Sequence, residues 1–419
     1  MKSNSSGNIE YLFVVMYVLA SLGMAATLLV SNETDSLGYG SSFGFVFLWV
    51  CLYLFTGSSI VFSNEDYLFR TYPNELMLVF FGFFIVVSSS WSVLIKQSLT
   101  YSISLLANFL FIIFIYRKFS LKDFLVLVQY SLNVMILLGL ILGLLGYEKA
   151  IYIDPLSRGN VFGTELIKGL FSHKIYTGVY ATLAVILNLT FLKGKVLFFW
   201  IMIGVLSVVL AGSATGMVVL IVAMSAYYLS IFFRAANFPK GFTLFFFFIF
   251  LFFCFALYLA LPYVFEALGR DQNMTGRGSL WGWAYIFWCE QPLLGWGYLG
   301  IFGEYDNAPS NIINDGSFYI APHFHNSYLQ ILTELGLIGF VFYFSAITWC
   351  GKMCWSLWVR CGDLEYLASF VCLIVIFLAG FVVNIGLKYN EFSTLLLFYL
   401  CLSVFYGRRN LHENMSVSE

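Results

Sequence analysis

Residues 123–146 read DFLVLVQYSLNVMILLGLILGLLG, and after Asp123 the run carries no charge at all. Wound as an α-helix at about 1.5 Å per residue, it crosses a hydrocarbon core of roughly 30 Å with every backbone group satisfied inside the segment. Runs of this kind recur at roughly 11–30, 43–62, 76–95, 100–117, 175–192, 196–212, 215–233, 242–263, 335–350, 366–386 and 392–407. The whole chain of 419 residues is 61% hydrophobic and 10% charged, where a soluble protein carries about a quarter charged residues. The sequence therefore predicts an all-α polytopic membrane protein. It has about twelve transmembrane helices, residues 1–419 forming a single integral membrane domain.

The net charge of −1 gives no basic signature for nucleic acid. The first apolar run, Tyr11–Val30, continues past any plausible cleavage point and is followed by further spans, so it reads as a retained anchor. Cys51, Cys254, Cys372 and Cys401 fall inside apolar runs, and Cys289 stands alone in a polar stretch. Cys350, Cys354 and Cys361 lack the close pairs and histidines of a zinc site. Neither a disulfide framework, a structural metal nor a cofactor is implied.

The distribution of cations tests the span count. With both termini on the inner side, that side receives Lys2, Arg70, Arg117, Lys118, Lys122, Lys193, Lys195, Arg234, Lys240, Lys352, Arg360, Arg408 and Arg409. The outer side receives Lys96, Lys149, Arg158, Lys168, Lys174, Arg270, Arg277 and Lys388. Six of these eight lie in two segments, a smaller loop at 147–174 and a large loop at 264–334 between spans nine and ten. Cations held on that side against the charge rule point to a bound anion. The spans themselves hold almost no acidic or basic residue, which speaks against an ion-coupled transporter but leaves a lipid flippase open.

The large loop carries two dense clusters, Thr275-Gly-Arg-Gly-Ser-Leu-Trp281 and Pro322-His-Phe-His-Asn326. A short helix is expected from Ser279 to about Glu290, with Trp281, Tyr285 and Trp288 on one face. Rings of this kind favour the membrane interface, so the helix either caps the bundle or holds a substrate. Pro292 stops it, and Gly295-Trp-Gly297 is expected to make a flexible turn. Arg277 stands beside glycines that permit close backbone approach. Its guanidinium is a candidate fork for phosphate oxygens, the alternative being a solvated arginine.

In the second cluster Asn326 or Ser327 caps a helix whose side is lined by Leu329, Leu332 and Leu335 before Gly336 breaks it. His325 then sits at the helix N-terminus, where the dipole disfavours imidazolium and leaves a neutral ring able to accept a proton. With His323, Asn326 and Tyr328 adjacent, a binding or catalytic role is favoured over a mere polar cap. In the smaller loop Arg158 and His173-Lys174 are further candidates, against simple snorkelling of Lys174. Glu304-Tyr-Asp306 is too weak a pattern to imply a metal.

These residues resemble the O-antigen ligase and polymerase superfamily. Thr275-Gly-Arg with Trp281, Pro292-Leu-Leu-Gly-Trp-Gly297, His323-Phe-His-Asn-Ser-Tyr-Leu329 and Glu334-Leu-Gly-Leu-Ile-Gly339 follow in an order most similar to its exopolysaccharide and O-antigen polymerase branch. Gly169-Leu-Phe-Ser-His-Lys174 resembles the family segment before a span, with Ile175 where Asn is usual. Ala211-Gly-Ser-Ala-Thr-Gly216 resembles a family element that carries a basic residue where this chain has Ala214. The resemblance covers roughly 169–340; the first 150 residues match only in hydropathy.

The resemblance implies a metal-independent, inverting glycosyltransferase of the bacterial inner membrane, with both polar loops periplasmic. Its partners would be an undecaprenyl-pyrophosphate-linked oligosaccharide, a glycan acceptor, the lipid bilayer and a chain-length regulator. His325 matches the family's essential loop histidine and Arg277 its loop arginine. Lys174 matches a basic residue near the donor, and Arg158 matches more loosely. The expected site is thus His325 and Arg277 for catalysis, with Arg158, His173, Lys174, Trp281, His323, Asn326 and Tyr328 binding substrate. If the acceptor is another repeat unit the enzyme polymerises; if it is lipid A-core, the enzyme is an O-antigen ligase.

Overall fold

The computed structural model describes residues 5–30, 42–61, 72–154, 159–160, 162–235, 277–303, 307–314 and 321–416. The expected span at 242–263 lies outside the described residues, as do Arg158, Arg270, Thr275, Gly276, Glu304 and Asp306. Nearly everything described is helix. In chain order these are α1 (Ser5–Ser21), α2 (Met24–Leu29), α3 (Phe43–Val61), α4 (Pro73–Ser88), α5 (Ile95–Lys118), α6 (Leu121–Leu144), α7 (Lys174–Phe191), α8 (Gly194–Leu210) and α9 (Ala214–Ala235). After them come α10 (Arg277–Glu290), α11 (Asn311–Asn314), α12 (Ser327–Cys361), α13 (Leu364–Gly380) and α14 (Phe392–Ser416).

Among the described residues seven helices are long and apolar enough to cross a membrane, and four apolar helices are shorter: Ile9–Ser21, Gly194–Leu210, Leu364–Gly380 and Phe392–Phe405. Two elements depart from the sequence reading. The run 11–30 is not one helix: it breaks at Gly23, whose φ of 103° ends α1, and a Cβ there would stand 3.3 Å from the Ser172 backbone. The chain bends so that the smaller loop can dock against α2. The span expected at 335–350 is the distal part of the 35-residue α12, which runs on from the second polar cluster across a kink at Gly336 (φ 63°, ψ −167°).

Helix α7 is the hub. It packs on α6, α8, α9 and α13, and 83% of its span is buried. Its approach to α9 is possible because glycine faces glycine: a Cβ on Gly216 would lie 2.6 Å from the Gly178 Cα. Small residues at such crossings let lipid-embedded helices gain backbone contact. Buried polar side chains are closed upon each other. Asn188 of α7 accepts from Gln129 and Asn133 of α6, both at 2.9 Å, and returns a bond to Asn133 at 3.0 Å.

The connections gather at one end of the bundle. The segment after α6 forms a two-residue antiparallel ladder, β1 (Ile151–Tyr152) with β2 (Leu166–Ile167), before reaching α7. The chain after α10 docks onto the α4–α5 corner, where Tyr298 N–H donates to Ser88 Oγ at 3.0 Å and Ser98 Oγ donates to Tyr298 O at 2.6 Å. The α13–α14 connection closes the same end, with Ser327 Oγ donating to Val383 O at 2.8 Å and Tyr389 N–H donating to Tyr298 Oη at 3.0 Å.

Candidate active site

Helix α10 starts at Arg277, two residues before the expected start, and its inner face builds a small core of its own. Ala284 and Phe287 pack with Ile301, Phe302, Ile313, Ala321 and Phe324. This core fixes the second cluster against α10. Phe324 is fully buried between two histidines, and its carbonyl accepts the Trp281 indole N–H at 3.1 Å. Trp281 therefore stitches the two clusters together, while Tyr285 is 61% exposed and its ring lies tilted to that of Trp288, with centroids 6.0 Å apart.

The Gly295-Trp-Gly297 segment is tied down, contrary to the expectation of a flexible turn. Trp296 N–H donates to Thr333 O at 2.9 Å and Gly297 N–H to Glu334 O at 2.8 Å, while Leu337 N–H reaches Pro292 O at 2.9 Å. The kink at Gly336 makes this possible by turning helix carbonyls outward. A Cβ at Gly336 would stand 2.2 Å from Leu293 O, so only glycine allows the approach.

Asn326 is the N-cap of α12: its Oδ1 accepts from Tyr328 N–H at 3.0 Å and Leu329 N–H at 3.1 Å. Tyr328 turns into the bundle, its hydroxyl donating to Phe377 O at 2.7 Å and its ring lying among Phe377 and Phe381. Both residues hold the helix in place. His325, just before the cap, has a φ of 52°, the left-handed region that a side chain with a Cβ rarely adopts. Its N–H donates to His323 Nδ1 at 3.0 Å, and the two rings stand 4.2 Å apart. With Nδ1 accepting, His323 carries its hydrogen on Nε2. Among the described residues the buried Nδ1 of His325 has no hydrogen-bond partner.

His173 repeats this chemistry from the smaller loop. It caps α7 through Nδ1, which accepts Ile175 N–H at 3.1 Å, and its Nε2 lies 3.0 Å from Tyr152 Oη. Lys174 is 9% exposed; its ammonium meets Asp154 Oδ2 at 2.5 Å and sits 4.9 Å over the Tyr152 ring. The sequence reading assigned this charge to a substrate anion, but the fold gives it a carboxylate of its own.

The two loops share one electrostatic site. Burial, reinforced by the charge of Arg277, pushes His325 down to about 4. Burial brings His173 to about 3, aided by Lys174, His325, Lys168 and Arg277. His323 falls well below the ordinary histidine value through burial, with His325, Lys388, His173 and Arg277 adding to it. Burial and Lys149 lower Lys168 as well. Near neutral pH all three rings are uncharged, and among the described residues the charges that shift them are cations. Tyr152, Asp154, Lys168 and Lys388 were not chosen as site residues from the sequence. Lys168 and Lys388 had one signal, their place on the cation-poor side in the charge count; Tyr152 and Asp154 had none.

The fold and site define a multi-pass helical membrane protein with a histidine- and arginine-bearing polar cluster at one end. The profile of the O-antigen ligase family matches residues 197–344, from α8 into α12, and takes in Arg277, His323 and His325. That match is consistent with the O-antigen ligase and polymerase superfamily, whose members are glycosyltransferase-like membrane enzymes acting on lipid-linked glycans. No curated protein matches the chain.

Proposed function

We propose that this protein is a twelve-span inner-membrane glycosyltransferase that polymerises undecaprenyl-pyrophosphate-linked oligosaccharide units into O-antigen, capsule or exopolysaccharide. The observation that carries the reading is the buried His325 Nδ1, which has no partner among the described residues, on a ring that burial and the Arg277 charge hold neutral, inside the matched segment. In this reading the polar end faces the periplasm and the reaction uses no metal. His325 takes the proton from the acceptor hydroxyl, which attacks the anomeric carbon in one displacement with inversion, and the C–O bond to pyrophosphate breaks. Arg277 stabilises the negative charge that grows on the leaving pyrophosphate, with Arg158, Lys168 and Lys388 adding to the field. A bound pyrophosphate raises the depressed histidine values, so the base gains strength when the donor is in place.

Lys174 acts at one remove, holding Asp154 and Tyr152 around His173. Trp281 positions the His323–His325 turn, and the exposed Tyr285 edge of α10 is offered to the polyprenyl tail or to sugar rings. Purified enzyme in lipid, given a synthetic undecaprenyl-pyrophosphate oligosaccharide, should build a ladder of products with inverted anomeric configuration. A His325→Ala enzyme that builds the same ladder at the same rate would overturn the reading. A second acceptor, lipid A-core, is favoured by the family's own description as O-antigen ligase; supplied alone with donor, it should be left unmodified by a polymerase and capped by a ligase.

A further inference from the structure

The backbone of Phe324, the residue between the two loop histidines, is held at both of its peptide groups. Its carbonyl accepts from Trp281, and the Phe324 N–H donates to Gln330 Oε1 at 3.0 Å. That bond sets the orientation of the Gln330 amide. Its Nε2 must then face away, and it donates to Glu334 Oε1 at 2.5 Å. The Leu299 backbone N–H also donates to the Glu334 carboxylate. Gln330 and Glu334 are each 2% exposed, and the proposed reaction uses neither.

The chemistry of these partners restricts position 334. Both neighbours of the carboxylate are donors, and a carboxylate of this length supplies two acceptor oxygens where an amide supplies one. The Glu334 main chain also holds Gly297, so one residue anchors both the turn after α10 and the turn before α12. The left-handed His325 is a conformation that persists only where its surroundings over-determine it. The Phe324 backbone, held by Gln330 and Trp281, is that restraint.

We propose that Glu334 is a positioning residue for the histidine loop, holding His325 beside Arg277 through Gln330 and the Phe324 backbone; its link to catalysis rests on the glycosyl-transfer reading. Glu334→Gln leaves two donors competing for one oxygen. Gln330→Glu sets two carboxylates side by side. Each should lower kcat by about 10- to 100-fold with KM little changed, the size of loss that a small misplacement of a catalytic group produces. The double variant Q330E/E334Q restores every pair. The new carboxylate at 330 accepts from Phe324 N–H and from the new amide at 334, whose oxygen accepts from Leu299 N–H. Most of the wild-type kcat should return.

A parallel readout needs no turnover. In ¹⁵N-histidine spectra of the same full-length proteins in lipid, the His325 resonance should shift in E334Q and return toward its wild-type position in the double variant. Single variants with wild-type kcat and an unmoved His325 resonance would overturn the proposal, and so would a double variant no better than the singles. Should the singles fail to accumulate, the double variant decides, since it keeps all donors and acceptors paired. A wild-type enzyme that transfers no glycan would sink the reaction assigned to the site, while the spectra would still test the positioning role.

Discussion

The two ends of the helical bundle handle positive charge in different ways. At the end where α4 begins and α5 finishes, cations meet carboxylates: Arg117 pairs with the buried Glu75 at 2.5 Å, and Lys118 lies 3.3 Å from Glu10. Arg234 lies over the Trp358 ring at 4.8 Å. At the opposite end burial holds three histidines neutral, with Arg277, Lys168 and Lys388 adding to it, and of the cations there Lys174 meets the carboxylate of Asp154. One arrangement keeps helices together; the other maintains a positive field over neutral bases, a configuration that suits an anionic substrate with a hydroxyl to be deprotonated.

The sharpest way to break this contrast is to remove the base. His325→Ala should lower the transfer rate by about 10²- to 10⁴-fold, measured as product formed per folded enzyme. Arg277→Ala comes next, at about 10²- to 10³-fold on kcat/KM. Arg277→Lys should recover only part of the loss, because an ammonium cannot fork onto two oxygens. A lysine enzyme equal to wild type would reduce Arg277 to a point charge.

Acidity tests the neutral state of the rings. His325 is held down to about 4 by burial, so kcat/KM should stay level from pH 7 toward 5 and fall about tenfold per unit below about 4. Stability follows the same sign. The unfolded histidines take up protons from about pH 6.5 downward while the native rings do not, so stability present above that pH is lost progressively as pH falls toward the folded value. A thermal unfolding series across pH 4–7 checks this; a profile that gains stability toward pH 4 would contradict it.

The stitching tryptophan gives a smaller effect. Trp281→Phe removes one donor from the Phe324 carbonyl and should slow transfer about fivefold. The smallest effect on rate belongs to the other end. Glu75→Ala leaves Arg117 without its buried partner and should cost about 3 kcal/mol of stability, seen as a lower unfolding temperature. The kcat of the protein that folds should stay at the wild-type value. A loss of rate there would mean that the two ends are coupled and would remove the contrast.

Much of this was legible in the chain. The helix starts at the second polar cluster and α10 were readable because capping and apolar spacing are local, and Arg277, His323 and His325 stood out because they fall in the dense clusters of the one long polar loop between apolar runs. The break at Gly23 was not readable, since its cause is the backbone of Ser172, about 150 residues away in the chain. The Lys174–Asp154 pair escaped for a similar reason: Asp154 has no pattern around it, and only the β1–β2 ladder brings it back to α7. Tyr328 looked like a site residue by proximity to His325, yet helix geometry turns the side chain three positions on toward α13.

What the sequence determined by itself was the solvent of the fold. Apolar runs long enough to cross lipid oblige the backbone to bond within each segment, so helices follow from composition and length alone. The place of the chemical groups was equally fixed, because titratable residues are costly within such runs and so collect in the polar loops between them. Which of them meet was decided only by tertiary structure. His173 and His325 come to share one field because small residues let α7 reach its neighbours, while a kinked α12 hands its carbonyls to the turn after α10. Whether a cation is spent on a carboxylate, like Lys174, or directed at histidines, like Arg277, depends on distances that no local pattern encodes.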